Sequence, residues 1–177
     1  MPLGLVGSPQ ADDGAPPRAI LRPPFRQAFA RKTVPVQPNG TFLDILFFGD
    51  IVGKAGRQAV FHYLEHLGDR PELVIANVEN VTHGFGISER HYRELLERGI
   101  HVMTGGNHSF DRRELVDFIG GAHAMLRPAN LPGQNVPGVG WRVFDLGVGV
   151  KVGVLNLIGQ AFMANYNSPW EQLETAV

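Results

Sequence analysis

The stretch Leu43-Asp44-Ile45-Leu46-Phe47-Phe48-Gly49-Asp50 decides how this chain is read. A short, mostly apolar run stops at a glycine and a carboxylate, the pattern of a buried strand ending in a polar loop. The arrangement recurs twice. Leu73-Val74-Ile75-Ala76 runs into Asn77-Val78-Glu79-Asn80, and Ile100-His101-Val102-Met103 runs into Thr104-Gly105-Gly106-Asn107-His108. A fourth polar stretch, Arg127-Pro128-Ala129-Asn130, follows a further apolar run.

Helical patterns separate these runs. Residues 55–67 put Val60, Leu64 and Leu67 on one face, and Gly68-Asp69 ends the helix. A second helix spans Ser88 to Arg98, with Ser88 as N-cap and Gly99 beyond its end. The third runs from Asp111 to Ile119, opened by Asp111 and closed by Gly120-Gly121. Strands alternating with helices predict parallel pairing with right-handed crossovers. Two later strands, Trp141 to Leu146 and Val150 to Ile158, read as an antiparallel hairpin through Gly147, suited to a second sheet.

Residues 1–40 differ in kind. Proline and glycine are dense, apolar periodicity is missing, and the stretch reads as a disordered extension to a domain covering residues 41–177. It holds five basic and two acidic residues, against 11 basic and 15 acidic in the remainder. A basic, acid-poor stretch from Pro16 onward is shared by transit peptides and by plain solvated extensions.

The formal net charge of -1 gives the whole chain no pull toward nucleic acid or an anionic membrane. Cysteine is absent, which excludes disulfides and thiolate metal sites. No run of residues reaches the ~20 apolar positions needed to span a bilayer, and no secretion signal is legible, so a cytoplasmic location is expected. Self-association into a homo-oligomer is compatible with the sequence, which does not specify it.

Ligands of open α/β sheets bind at the carboxyl ends of the strands. Carboxylate and amide oxygens gathered there, with one imidazole, suit hard or borderline divalent cations. Asp50 is open to a second reading as a simple N-cap, and Glu79 with Asn80 to one as surface turn residues. Asn107-His108 is the most specific element, an amide oxygen beside a group that exchanges protons near neutral pH. His83, beside the Gly84-Phe85-Gly86 loop, is a candidate for substrate contact. Arg127 and Asn130 are candidates for meeting a phosphate, with a structural role for the arginine equally open. The glycines around Asp50 match neither the dinucleotide nor the Walker spacing.

These segments resemble the metallophosphoesterases, specifically the YmdB-like 2′,3′-cyclic-nucleotide 2′-phosphodiesterases. The matching stretches are LFFGDIVGKAGR, LVIANVEN with GFGIS, VMTGGNHSFD, LRPANLPG, GWRVFDL and VGVLNLIGQAFM, covering about residues 43–165. The resemblance implies a four-layer α/β/β/α sandwich, of which this chain is the N-terminal portion, and two divalent metal ions, iron or manganese. Asp50, Glu79, Asn80 and Asn107 match the family's ligand positions, Glu79 as the bridge, and His108 matches its proton donor. The implied substrate is a small cyclic nucleotide or related phosphodiester. The family's remaining histidine ligands, in a His-Ala-Glu and a Gly-Thr-His-Thr-His stretch, are absent from these residues. Weak metal binding, little turnover and exposed apolar sheet surface are therefore expected of residues 1–177 alone. An inactive regulatory or degenerate fragment, and a metal-free nucleotide-binding module, are the competing readings.

Overall fold

In the computed structural model the described residues are 29–35, 42–147, 149–163 and 165–176. A five-stranded sheet has the order β1 (Phe29–Pro35), β2 (Phe42–Phe48), β3 (Leu73–Asn77), β4 (Val102–Thr104) and β5 (Met125–Leu126). Strands β2 to β5 are parallel, with Phe47 opposite Ile75, Ile75 opposite Val102, and Met103 opposite Met125. Helices α1 (Gly53–Glu65), α2 (Glu89–Glu97) and α3 (Arg113–Phe118) form the crossovers. A 3₁₀ turn, Ile119–Gly121, extends α3. The hairpin β6 (Trp141–Asp145) and β7 (Lys151–Leu155) forms a separate antiparallel sheet, and α4 spans Pro169–Ala176.

Strand order follows chain order without reversal. Crossovers of one hand then put all three helices on the same face of the sheet. Alternate strand residues divide accordingly. Leu46, Phe48, Val74, Ala76 and Met103 join Val60, Phe61, Leu64 and Leu95 in a core beneath the helices. Leu73, Ile75, Val102 and Leu126 point the other way and meet Phe144, Val152 and Val154 of the hairpin. The described layers are helices, sheet and second sheet. On the outward face of β6, Trp141 is 48% and Val143 51% exposed, as expected of uncovered apolar sheet surface. Among the described residues no helix is long and apolar enough to cross a membrane.

Strand β1 corrects the reading of residues 1–40 as wholly disordered. Phe29–Pro35 pairs antiparallel with the whole of β2, from Phe29 opposite Phe48 to Pro35 opposite Phe42. Arg31 holds Asp44 by an ion pair, and β2 presents a free edge that a strand with few apolar residues satisfies by backbone bonds. Residues 1–28 and 36–40 of the expected extension lie outside the described residues. The third helix also differs from expectation: it begins at Arg113, and Asp111 does not cap it.

Asn156, just past β7, fastens one sheet to the other. Its Nδ2 donates to the carbonyls of Gly105 at 2.9 Å and Leu126 at 3.0 Å, while its own backbone bonds Gly140 and Ala129. Asn156→Ala is expected to cost about 1–3 kcal/mol in urea denaturation, the penalty for orphaned buried hydrogen-bonding groups. A loss within about 0.5 kcal/mol would show that the sheets dock without it.

Candidate active site at the carboxyl ends of β2, β3 and β4

Three loops leave the sheet side by side and are laced together by backbone bonds. Ile51 N donates to Asn77 O at 3.1 Å, Gly53 N to Asn80 O at 2.9 Å, and Val78 N to Thr104 O at 2.9 Å. The parallel ladder thus continues past the strands into the loops carrying Asp50, Glu79, Asn80, Asn107 and His108. Asn80 meets Asp50 across two of these loops, and the Glu79 carboxylate lies beside Gly106 and the His108 backbone on the third.

Asp50 is exposed and does not cap α1, whose N-cap is Val52 without a side-chain bond. Its Oδ2 instead accepts Asn80 Nδ2 at 2.8 Å, across two loops. Glu79 is half-buried. Its backbone N–H donates to Asn77 Oδ1 at 3.1 Å, which fixes the turn. Its carboxylate receives only long contacts, 3.5 Å from Asn77 Nδ2 and 3.4 Å from His108 N. Such contacts are weak, and the oxygens keep lone pairs for another partner. Asn107 is exposed, and its side chain makes no hydrogen bond among the described residues.

Glu79 sits where a side chain would otherwise be. A Cβ added to Gly106 would fall 2.1 Å from Glu79 Oε2, so only glycine admits the carboxylate. The loop is held in that shape by Ser109, 1% exposed, whose Oγ accepts Gly106 N at 2.8 Å and donates to Gly106 O at 2.7 Å. Sequence reasoning missed Ser109; its position three residues after Gly106, within a Gly-rich turn, was the available signal.

His108 is one-third exposed, and its Nδ1 donates to Asp111 Oδ2 at 2.6 Å. That bond fixes the ring orientation and leaves Nε2 without a hydrogen bond among the described residues. The Phe85 ring packs edge-on against the imidazole, 5.3 Å between centroids. Asp111, expected to cap a helix, is the orienting partner of the histidine. The sequence spacing of three residues allowed this and did not single it out.

The loop bearing Phe85 is anchored behind by Thr82, Ser88 and His91. Thr82 Oγ1 lies 2.7 Å and Ser88 Oγ 3.1 Å from His91 Nδ1, and Ser88 caps α2 as expected, accepting His91 N at 3.3 Å. Exposed His83 adopts φ 56°, a strained conformation for a non-glycine residue, and its Nδ1 lies 3.4 Å from Arg112 Nη2.

Arg127 and Asn130 are engaged within the fold, which argues against the expected phosphate contact. Arg127 donates to the carbonyls of Pro137, Pro128 and Ala129, and burial pulls its guanidinium below the usual value. Asn130 is fully buried, with Nδ2 on Ile158 O and Asn167 O and Oδ1 on Ile158 N. The fourth polar stretch closes backbone gaps between chain segments.

The donor set suits a hard cation: two carboxylates, two amide oxygens, and a carboxylate cradle that a Cβ would fill. Among the described residues no three His, Cys, Asp or Glu side chains cluster.

Helices on one sheet face, a second sheet on the other and oxygen donors at the strand ends define an α/β architecture of the metallophosphoesterase type. The chain belongs to the YmdB-like protein family, whose sequence pattern matches residues 46–177. It is 38% identical over 128 residues to a 2′,3′-cyclic-nucleotide 2′-phosphodiesterase of Bacillus subtilis, covering 71% of this chain and 48% of that protein. A hypothetical protein of Thermus thermophilus superposes with a TM-score of 0.69 at 33% identity, covering 75% of this chain and 51% of that one. A novel phosphatase of Mycoplasma pneumoniae gives 0.65 at 29% identity, over 83% and 51%. The chain spans about half the length of these relatives.

Two measurements check the geometry. Gly106→Ala is expected to displace the Glu79 carboxylate, a flexible side-chain end that can give way, in a crystal structure of the variant, whereas Gly121→Ala, with open space around the added atom, should leave Glu79 in place. Burial first, and the Arg57 charge second, hold the His91 imidazole below its usual value of 6.5. The unfolded chain then binds the proton more readily, so stability is full above pH ~6.5 and falls as the pH drops below it. Thermal unfolding between pH 7.5 and 5.5 is expected to show a smaller drop for His91→Gln than for the parent.

Proposed function

We propose that this chain carries the oxygen-donor part of a two-cation phosphodiesterase site acting on 2′,3′-cyclic nucleotides or related phosphodiesters. The observation that supports it most is the lacing of the three loops that carry Asp50, Glu79, Asn80, Asn107 and His108, with Asn80 on Asp50 and the Glu79 carboxylate against the His108 backbone. The activity for which the Bacillus subtilis relative is named supports the substrate class.

Asp50, Glu79, Asn80 and Asn107 would hold the cations, iron or manganese by the family resemblance, with Glu79 as the bridge. Bound cations would supply Lewis-acid polarisation of the phosphoryl oxygens. The chain's own residues do the rest. Asp111 orients the protonated His108 ring through Nδ1; as water attacks phosphorus and the bond to the ribose oxygen breaks, Nε2 hands its proton to that departing oxygen. Phe85 shields one side of that imidazole and limits its rotation.

The cation test is calorimetric titration of Mn²⁺ into the chain. Weak binding is expected, lowered at least about tenfold by Glu79→Ala and by Asn107→Ala, a loss of about 1.4 kcal/mol. Binding unchanged in both variants would refute the site. In a chain of the relatives' length, His108→Ala is expected to lower kcat for a 2′,3′-cyclic mononucleotide by about 10²–10⁴-fold. Asp111→Asn should lower kcat by less and leave KM near the parent's. A chain whose activity is indifferent to His108 would remove that residue from the chemistry.

A further inference from the structure

A cavity of about 700 Å³ opens between α1, α2 and the loop that follows β3. Five basic side chains line it, Lys54, Arg57, Arg90, Arg98 and Arg112, against a single carboxylate, Glu94. In a chain of net charge -1 this is a marked local excess of positive charge.

The five cations divide into two groups. Arg57 and Arg98 are structural. Arg57 is 11% exposed, donates to Val81 O at 2.5 Å and lies 3.8 Å from Glu94, while Arg98 pairs with Glu65 and stacks 4.7 Å over Phe61. Lys54 and Arg90 are exposed and have no acidic partner among the described residues. Arg112 bonds a carbonyl, Phe85 O at 3.0 Å, and no carboxylate. On its other side Arg90 lines a neighbouring groove with Glu89, Glu94, Glu97 and Glu114, of which Glu89 is paired with Arg93. Lys54 and Arg112 thus face the open cavity without a bonded carboxylate, and Arg90 stands at its rim between the cleft and the acidic groove.

Phe85 connects this cavity to the site described above. Its carbonyl takes Arg112, its ring packs on His108, and the residue is 56% exposed. An exposed ring beside a line of cations is the combination that tracks single-stranded nucleic acid, by base stacking and backbone attraction. The volume is that of a nucleotide-sized pocket.

We propose that the cleft is a second phosphate subsite, holding a phosphodiester adjacent to the reacting one, so that the substrate class extends to short oligonucleotides. The extension rests on the phosphodiesterase reading; the anion site itself does not. Lys54, Arg90 and Arg112 attract the phosphate, and Phe85 stacks on the intervening base. Free phosphate shares the same chemistry and is separated from an oligonucleotide by the test.

Fluorescence anisotropy of a labelled ribotetranucleotide with the 177-residue chain, in EDTA, isolates binding from turnover. The double variant Lys54→Ala, Arg90→Ala is expected to weaken binding about tenfold at low salt. It should also reduce the slope of log affinity against log salt by about 1.4, about 0.7 for each contact. Both residues are exposed, so circular dichroism should be unchanged, and Lys32→Ala, Lys151→Ala, outside the cleft, should bind like the parent. Parent-like binding by the first variant, or an equal loss in the second, would overturn the subsite. Inorganic phosphate competing as well as the oligonucleotide, phosphate for phosphate, would overturn the extended substrate. Binding through the cleft by a chain that fails the Mn²⁺ titration would instead refute the proposed activity and leave the subsite standing.

Discussion

The site depends on how closely the Glu79 carboxylate approaches the backbone of Gly106. The two lie on loops after neighbouring strands, and any side chain at 106 would expel the carboxylate. Everything that shapes the edge serves this contact. Ser109 folds the loop onto its own backbone, Asn77 turns the chain beneath Glu79, and Asn156 anchors Gly105 to the second sheet. The result is a carboxylate that is half-buried and only weakly bonded, a state that favours a bound cation.

The sheet supplies the alignment at low cost. Sequential strand order leaves no reversal, so the site is not the switch-point crevice of doubly wound folds. Instead the carboxyl ends of β2, β3 and β4 stand in a row, and backbone bonds between their loops carry the strand spacing into the site. The same topology leaves one face of the sheet without helices, which is why a second sheet must cover Leu73, Ile75 and Val102.

Much of this was legible from residues 43–108, where apolar runs end in polar loops at regular intervals. Periodicity identifies buried strands and amphipathic helices because burial enforces it. What was not legible was set by long-range partners. β1 has little apolar pattern and forms because β2 offers an edge. Asp111 looks like a cap until its neighbour's imidazole is seen beside it, and Arg127 and Asn130 look like ligand groups until the carbonyls they bond are known. The cationic cleft draws on residues 54 to 112, and the near-zero net charge conceals it.

The central claim is that oxygens from three loops hold the two cations. Anomalous diffraction at the manganese edge, from crystals of the chain grown with Mn²⁺, tests it most directly. Peaks that between them lie within coordination distance of Asp50, Glu79 and Asn107 are the predicted result. Peaks elsewhere on the surface, with that edge vacant, would contradict it.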